Sequence, residues 1–164
     1  MTKIEKAIKY AKAQLTRLTP YVWGGQGEKL MKNFSVMKLC AMEDTADNAA
    51  RVIKFIYKNK GKATKASKIF DCSGFVIKCL EYSGIVSKGY DTTADGLYKK
   101  YTPISTVARK AGDLAFRVDK NGHAYHVGIL LDHDTVAHCK GRDWGLVSEP
   151  WTDTYWTACR RCFT

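Results

Sequence analysis

No run of about 18 apolar residues occurs anywhere in the 164-residue chain, so a membrane-spanning helix is not expected. The opening Met1-Thr2-Lys3-Ile4-Glu5-Lys6 enters an amphipathic pattern where a secretory signal would place an apolar core. The reading is therefore a protein made in the cytoplasm without a signal peptide, which needs a separate release step if it works outside. Cysteine is limited to positions 40, 72, 79, 139, 159 and 162, too few without a signal for a disulfide scaffold. Cys159-Arg160-Arg161-Cys162 has the spacing of half a zinc site, but no second Cys-x-x-Cys exists. Residues three apart on a strand also face opposite sides, so no metal is expected. The turn Gly24-Gly25-Gln26-Gly27 lacks the Lys-Ser or Lys-Thr of a phosphate-binding loop, which leaves close backbone approach beside a cleft as its reading. Acidic residues are scarce as well. Sixteen Asp and Glu against 27 Lys and Arg leave a formal charge of +11. Such a field attracts polyanions: nucleic acid, an anionic membrane, or a bacterial wall carrying phosphate polymers. The lysines are spread over the first hundred residues and form no single basic motif, so the charge reads as a general field that serves wall affinity or solubility.

What is present is the composition of one globular domain with a hydrophobic core, 45% apolar and 12% aromatic. Ile4, Ala7, Ile8, Ala11, Leu15 and Leu18 form one stripe, predicting an amphipathic helix over residues 3 to 18 that Thr19-Pro20 stops. Residues 28 to 60 read as two helices, one through Leu30, Met31, Phe34, Met37, Leu39 and Cys40, the other through Ala49, Val52, Ile53 and Ile56. A basic loop from Lys58 to Lys68 follows. Phe75, Val76, Cys79 and Leu80 predict a helix from Cys72 to about Ser83-Gly84, and Thr92 to Tyr98 a short capped one. After Pro103 the pattern alternates, predicting strands at 112–118, 126–131, 135–139, 145–148 and 155–159 in a meander. Helices first and an antiparallel sheet afterwards make an α+β fold.

The chemistry gathers at Phe70-Asp71-Cys72-Ser73-Gly74. Asp71 and Ser73 are good helix starters, so Cys72 is expected at a helix N-terminus, where unpaired amides favour thiolate and face a developing oxyanion. A small buried hydrophobe is the other reading of a free cysteine. A thiol hydrolase also needs a base and a group to orient it. His126 begins an apolar strand and His138 ends the next, so the two can be neighbours across a hairpin. Each of them, taken alone, also fits a structural role. His123 and His133 lie in polar turns and read as surface residues.

Tyr21-Val22-Trp23-Gly24-Gly25, Asp71-Cys72-Ser73-Gly74-Phe75-Val76, Gly112-Asp113-Leu114-Ala115-Phe116 and His126-Val127-Gly128-Ile129 occur in this order. Together with Thr93 to Leu97 and Val136-Ala137-His138, they make the chain resemble the NlpC/P60 cysteine peptidases, papain-like enzymes that cut peptidoglycan stem peptides. The resemblance implies one catalytic domain over residues 1–164. In it the N-terminal helices and a nucleophile helix pack on a C-terminal antiparallel sheet. It implies Cys72 as nucleophile, His126 as base and His138 as the orienting third residue. Tyr21 is implied near the oxyanion, and Asp71 and Ser73 at the helix start and substrate subsite. It implies no metal and no cofactor. The chain departs from the family in a helical insertion at about 28–65, which reads either as a cover for core surface or as a wall of the substrate groove.

The expected activity is hydrolysis of an amide bond in peptidoglycan, by an endopeptidase or an N-acetylmuramoyl-L-alanine amidase resembling a phage or prophage endolysin. Peptidoglycan is the expected partner, with anionic wall polymers engaged through the positive charge. Neither nucleic acid nor stable membrane insertion is expected. The rivals are a papain-like acyltransferase or transglutaminase, and a non-catalytic basic binding module.

Overall fold

The computed structural model describes residues 1–33 and 35–163. Phe34, placed by the apolar pattern in the first inserted helix, lies outside the described residues. Helix α1 (Lys3–Leu15) opens on a reciprocal cap: the Thr2 hydroxyl accepts from the Glu5 N–H, and the Glu5 carboxylate from the Thr2 N–H. It ends three residues earlier than the apolar stripe suggests. The Thr19 hydroxyl donates to the Gln14 carbonyl at 2.9 Å, which satisfies a last-turn acceptor and carries the chain away from the helix axis. Leu18 consequently leaves the α1 stripe and joins a separate apolar cluster.

The glycine-rich turn feeds a strand where helix was expected. β1 (Gln26–Lys29) pairs antiparallel with β2 (Lys68–Phe70), with Glu28 opposite Ile69 and Lys29 opposite Lys68. Between these strands lie α2 (Leu30–Asn33), α3 (Val36–Met42), α4 (Ala46–Lys58) and a 3-10 turn (Lys60–Lys62). The one helix expected from Leu30 to Cys40 is thus two. Ser35 starts the second by accepting the Lys38 N–H at 3.1 Å, a new N-cap that interrupts the first. Leu30 and Leu39 are buried, whereas Met31, Met37 and Cys40 are exposed. Leu39 of α3 and Val52 and Ile56 of α4 close one cluster with Leu18, Val22, Leu30 and Ile69. Each such burial contributes about 1.5–3 kcal/mol, enough to fasten the inserted helices to the strand pair.

Helix α5 (Cys72–Ser83) ends on Gly84, whose φ of +76° supplies the left-handed cap. Helix α6 (Ala94–Lys100) starts on Thr93, which accepts the Gly96 N–H. The main sheet comprises β3 (Thr102–Ile104), β4 (Leu114–Val118), β5 (Ala124–Leu130), β6 (Thr135–Gly141), β7 (Gly145–Pro150) and β8 (Ala158–Arg161). Its order is β3-β8-β4-β5-β6-β7, antiparallel throughout. The meander therefore holds only from β4 to β7. β8 does not continue it but crosses back to pair with β4. Arg161 supplies a reason, because its guanidinium donates to both oxygens of the buried Asp113 at 2.8 and 2.7 Å. The segment expected as a last strand from residue 155 pairs only from Ala158. On one face of the sheet, Phe75, Val76 and Leu80 of α5 pack with Phe116, Val127 and Ile129. The opposite face carries Ala115, Leu130, Val136, Trp156 and Cys159. The result is an α+β fold with the Cys72 helix laid on an antiparallel sheet.

Candidate active site

Asp71 builds the start of α5. Its Oδ1 accepts the Gly74 N–H at 2.7 Å and the Ser73 hydroxyl at 3.3 Å, and its Oδ2 accepts the Gly24 N–H at 3.2 Å. One carboxylate thus caps the helix and anchors the glycine turn beside it. Two glycines permit this closeness. A Cβ on Gly25 would lie 2.9 Å from the Phe70 backbone, and one on Gly74 would collide with the Gly25 carbonyl oxygen. The Asp71 N–H donates back to that carbonyl at 2.9 Å. The close backbone approach read from the glycines is what is found.

Cys72 keeps part of its surface open. Even so, enough protein surrounds the sulfur that burial, and then the Asp71 charge, push the thiol up to about 11. The N–H groups of Val127, Ser73 and Cys72 itself act in the opposite direction. The expectation that the helix start favours thiolate is corrected here: desolvation outweighs the amides, and the resting group is a thiol. Tyr21 stands next to it, held by a bridge to Phe70 and by the Val22 N–H donating to the Phe70 carbonyl at 2.9 Å. Burial and then the neighbouring Cys72 push the Tyr21 phenol far up, so it stays a neutral O–H donor.

His126 sits on β5 directly before Val127, and His138 on β6. Ile129 lies opposite Ala137, which makes the two histidines diagonal neighbours on one face. Gly128 leaves room for this. A Cβ there would come within 2.7 Å of Val136 Cγ1 and 3.0 Å of His138 Cβ. His126 Nε2 and His138 Nδ1 are 2.8 Å apart. Burial, followed by His138, Arg117 and Lys140, drives the His126 imidazole down to about 3. Burial also lowers His138, although Glu149 opposes it. His123 and His133 are exposed, beside Asp95 and Asp134.

The sequence reading missed the groups around this pair. Glu149 on β7 brings Oε2 to 3.0 Å from His138 Nε2 and accepts from Lys140 Nζ on Oε1 at 2.7 Å. Burial raises the Glu149 carboxyl, but Lys140 and His138 outweigh it and hold the group below the usual carboxylate range. Trp156 is buried and stacks on His126 with centroids 5.6 Å apart, meeting His138 edge-on at 4.9 Å. Tyr155 closes the same corner. The aromatic pair Tyr155-Trp156 was the available signal, although it reads as the start of the strand at 155–159. No local signal marks Glu149.

The inserted helices reach the same neighbourhood. The Glu43 carboxylate at the end of α3 is fully buried, accepting the Trp23 N–H at 3.0 Å and Arg142 Nε at 2.7 Å. Arg51 of α4 donates to both oxygens of Asp143 at 3.0 and 2.7 Å. Arg142 lies between β6 and β7, 5.4 Å from the Tyr21 ring and 6.0 Å from that of Trp23. The insertion thus grips both the Tyr21–Trp23 segment and the tip of the β6–β7 hairpin.

The arrangement offers a partly buried thiol at a helix start, a backbone N–H at its sulfur, a neutral phenol, and a His–His–carboxylate series behind it. Among solved structures the chain is similar to the P60 domain of an antigen from Mycobacterium avium subspecies paratuberculosis. The TM-score is 0.63 at 20% identity, over 98% of this chain and 94% of that one. It is likewise similar to the peptidoglycan hydrolase RipB of Mycobacterium tuberculosis, with TM-score 0.64 and 20% identity, over 99% of this chain and 65% of RipB. RipD of the same organism, described as a non-catalytic NlpC/p60 domain protein adapted to peptidoglycan binding, matches with TM-score 0.61 and 16% identity over 98% of each chain. At these identities the likeness is one of fold. No curated protein sequence matches significantly. The family model described as NlpC/P60 matches residues 18–163, from just after α1 to just past the last strand, and the chain belongs to that family.

Proposed function

We propose that this chain is a cysteine hydrolase that cuts an amide bond in the peptidoglycan stem peptide. In this reading Cys72 is the nucleophile, His126 the base that takes its proton, and His138 the residue that orients His126. Because the resting sulfur is a thiol, attack and proton transfer to His126 go together, and the proton passes on to the leaving amine. The α5 N-terminus and the Tyr21 hydroxyl are the donors for the oxyanion, with Asp71 and Ser73 shaping the helix start and the adjoining subsite. The whole chain serves as one catalytic domain, and the helical insertion supports a wall of its groove through Glu43. Exposed lysines on α1 (Lys3, Lys6, Lys9, Lys12) and in the loop at Lys60, Lys62 and Lys65 supply affinity for an anionic wall. Lysis after release from the producing cell, in the manner of an endolysin, is the role this combination fits.

The observation that carries the reading is the Cys72 sulfur at the Val127 N–H, one residue from an imidazole paired to a second at 2.8 Å. A purely binding domain has no use for a thiol and two imidazoles so arranged. The test is mass spectrometry of purified peptidoglycan incubated with wild type or Cys72→Ala. New peptides from the wild type alone are expected, their masses naming the bond. Alanine at Cys40, Cys79, Cys139, Cys159 or Cys162 is expected to leave turnover intact. Wild-type fragments joined to an added amine would point to acyl transfer, and an absence of new fragments from walls of several chemotypes to a binding role.

A further inference from the structure

Hydrogen-bond geometry ties four groups in a row: His126 Nε2 to His138 Nδ1 at 2.8 Å, His138 Nε2 to Glu149 Oε2 at 3.0 Å, and Glu149 Oε1 to Lys140 Nζ at 2.7 Å. A neutral imidazole carries one N–H and one lone pair, and an ionised carboxylate only accepts. These two rules fix every proton in the row. Lys140 donates to one Glu149 oxygen, and Glu149, an acceptor only, requires an N–H on His138 Nε2. His138 Nδ1 is then the lone pair, so the hydrogen bond at 2.8 Å needs its proton from His126 Nε2. That leaves His126 Nδ1 as a bare lone pair, the form a base must have before it takes a thiol proton. Reversing the first member reverses all of them. With no acceptor at position 149, His138 is free to carry its proton on Nδ1, which forces the His126 proton onto Nδ1 and blocks the base.

We propose that Glu149 is a positioning residue that sets the tautomers of His138 and His126, keeping His126 Nδ1 unprotonated for Cys72. This rests on the proposed thiol hydrolysis, but the proton arrangement itself is a property of the resting protein. Glu149 does not touch the sulfur. It acts through a His138 side chain that is fully buried, while its own side chain is 36% exposed at the sheet edge. A cavity of about 250 Å³ opens beside it, lined by Glu149, Pro150, Thr152, Tyr155 and Trp156. The carboxylate is thus accessible to substitution without opening the core, and Trp156 holds both rings in place from the other side.

The measurement is nitrogen-15 NMR of histidine-labelled protein at pH 7.5, which distinguishes Nε2–H from Nδ1–H imidazole. It is made on wild type, Glu149→Ala and Glu149→Gln, with folding checked by thermal melting. Wild type is expected to show Nε2–H on both His126 and His138. Glu149→Ala is expected to move both toward Nδ1–H, and Glu149→Gln does the same where its amide donates to His138 Nε2. In parallel, kcat on the stem peptide falls roughly tenfold to a thousandfold in Glu149→Ala with KM within about twofold, and Glu149→Asp restores part of it. An Nδ1–H proton on either histidine of the wild type overturns the proposal. So does Glu149→Ala with unchanged tautomers and unchanged kcat. A wild type that cleaves no wall material would instead overturn the hydrolase reading, leaving the tautomer spectra to decide the role of Glu149 alone.

Discussion

His126 and His138 are held neutral by burial, and this makes the site acid-sensitive in a defined direction. Burial, with His138, Arg117 and Lys140 adding to it, brings His126 from an ordinary value near 6.5 to about 3. Its contribution to stability is therefore fully present above pH 6.5 and is lost as pH falls toward 3, because the unfolded chain takes up a proton that the folded chain refuses. His138 is shifted in the same direction. Urea unfolding at pH 7 and at pH 5 is expected to show the wild type losing roughly 2 kcal/mol or more. His126→Gln should lose clearly less over the same interval, and a flat wild-type profile would contradict two buried neutral imidazoles. At this scale much was legible in the sequence. Asp71, Cys72 and Ser73 announce a helix start by residue type, and His126 and His138 lie on adjacent strands at a short separation. Glu149 was not legible. Its place beside His138 depends on the β6–β7 register, in which Val136 faces Glu149, and on a side chain reaching across that ladder. Nor was the thiol state, since local amides were visible in the sequence and desolvation by distant residues was not.

The spacing between β5 and β6 is set by Gly128. Any side chain there meets Val136 Cγ1 at 2.7 Å, the Ala137 carbonyl oxygen at 2.9 Å and His138 Cβ at 3.0 Å. Gly128→Ala must push β6 outward. The expected result is a loss of about 1–3 kcal/mol in stability and a drop in kcat larger than that of a control alanine on the exposed edge of β7. Unchanged kcat would show that the histidine pair tolerates a wider ladder. Long periodic elements such as α1, α4 and α5 were readable, because one stripe and one capping residue decide them locally. The pair β1–β2 was not. Strands of four and three residues carry no alternation, and they exist because the Gly25 turn and the segment after Ser67 are brought side by side. β8 was recognised as a strand but given the wrong neighbour, since its pairing with β4 depends on Arg161 finding Asp113, 48 residues away in sequence.

Across the whole molecule, the formal charge of +11 and the exposed lysines of α1 and the 60–65 loop predict two different salt responses. The Debye length shrinks from about 10 Å at 0.1 M to about 3 Å at 1 M, so long-range attraction to an anionic wall fades while chemistry at Cys72 does not. Turbidity clearance of intact walls is expected to fall several-fold between 0.05 and 0.5 M salt, over which the Debye length shortens about threefold. Release from a small soluble stem peptide should change less than twofold. Equal responses on both substrates would remove charge from the account of wall affinity. Among the described residues no helix is long and apolar enough to cross a membrane. The Glu43–Arg142 and Arg51–Asp143 pairs have a consequence for how such a molecule can be altered. A graft that replaced the inserted helices with a short connector would strand Arg142 beside Tyr21 and leave the Trp23 amide without its acceptor. Residues 30–58 and the β6–β7 tip are therefore one unit of exchange, to be swapped together between relatives or not at all.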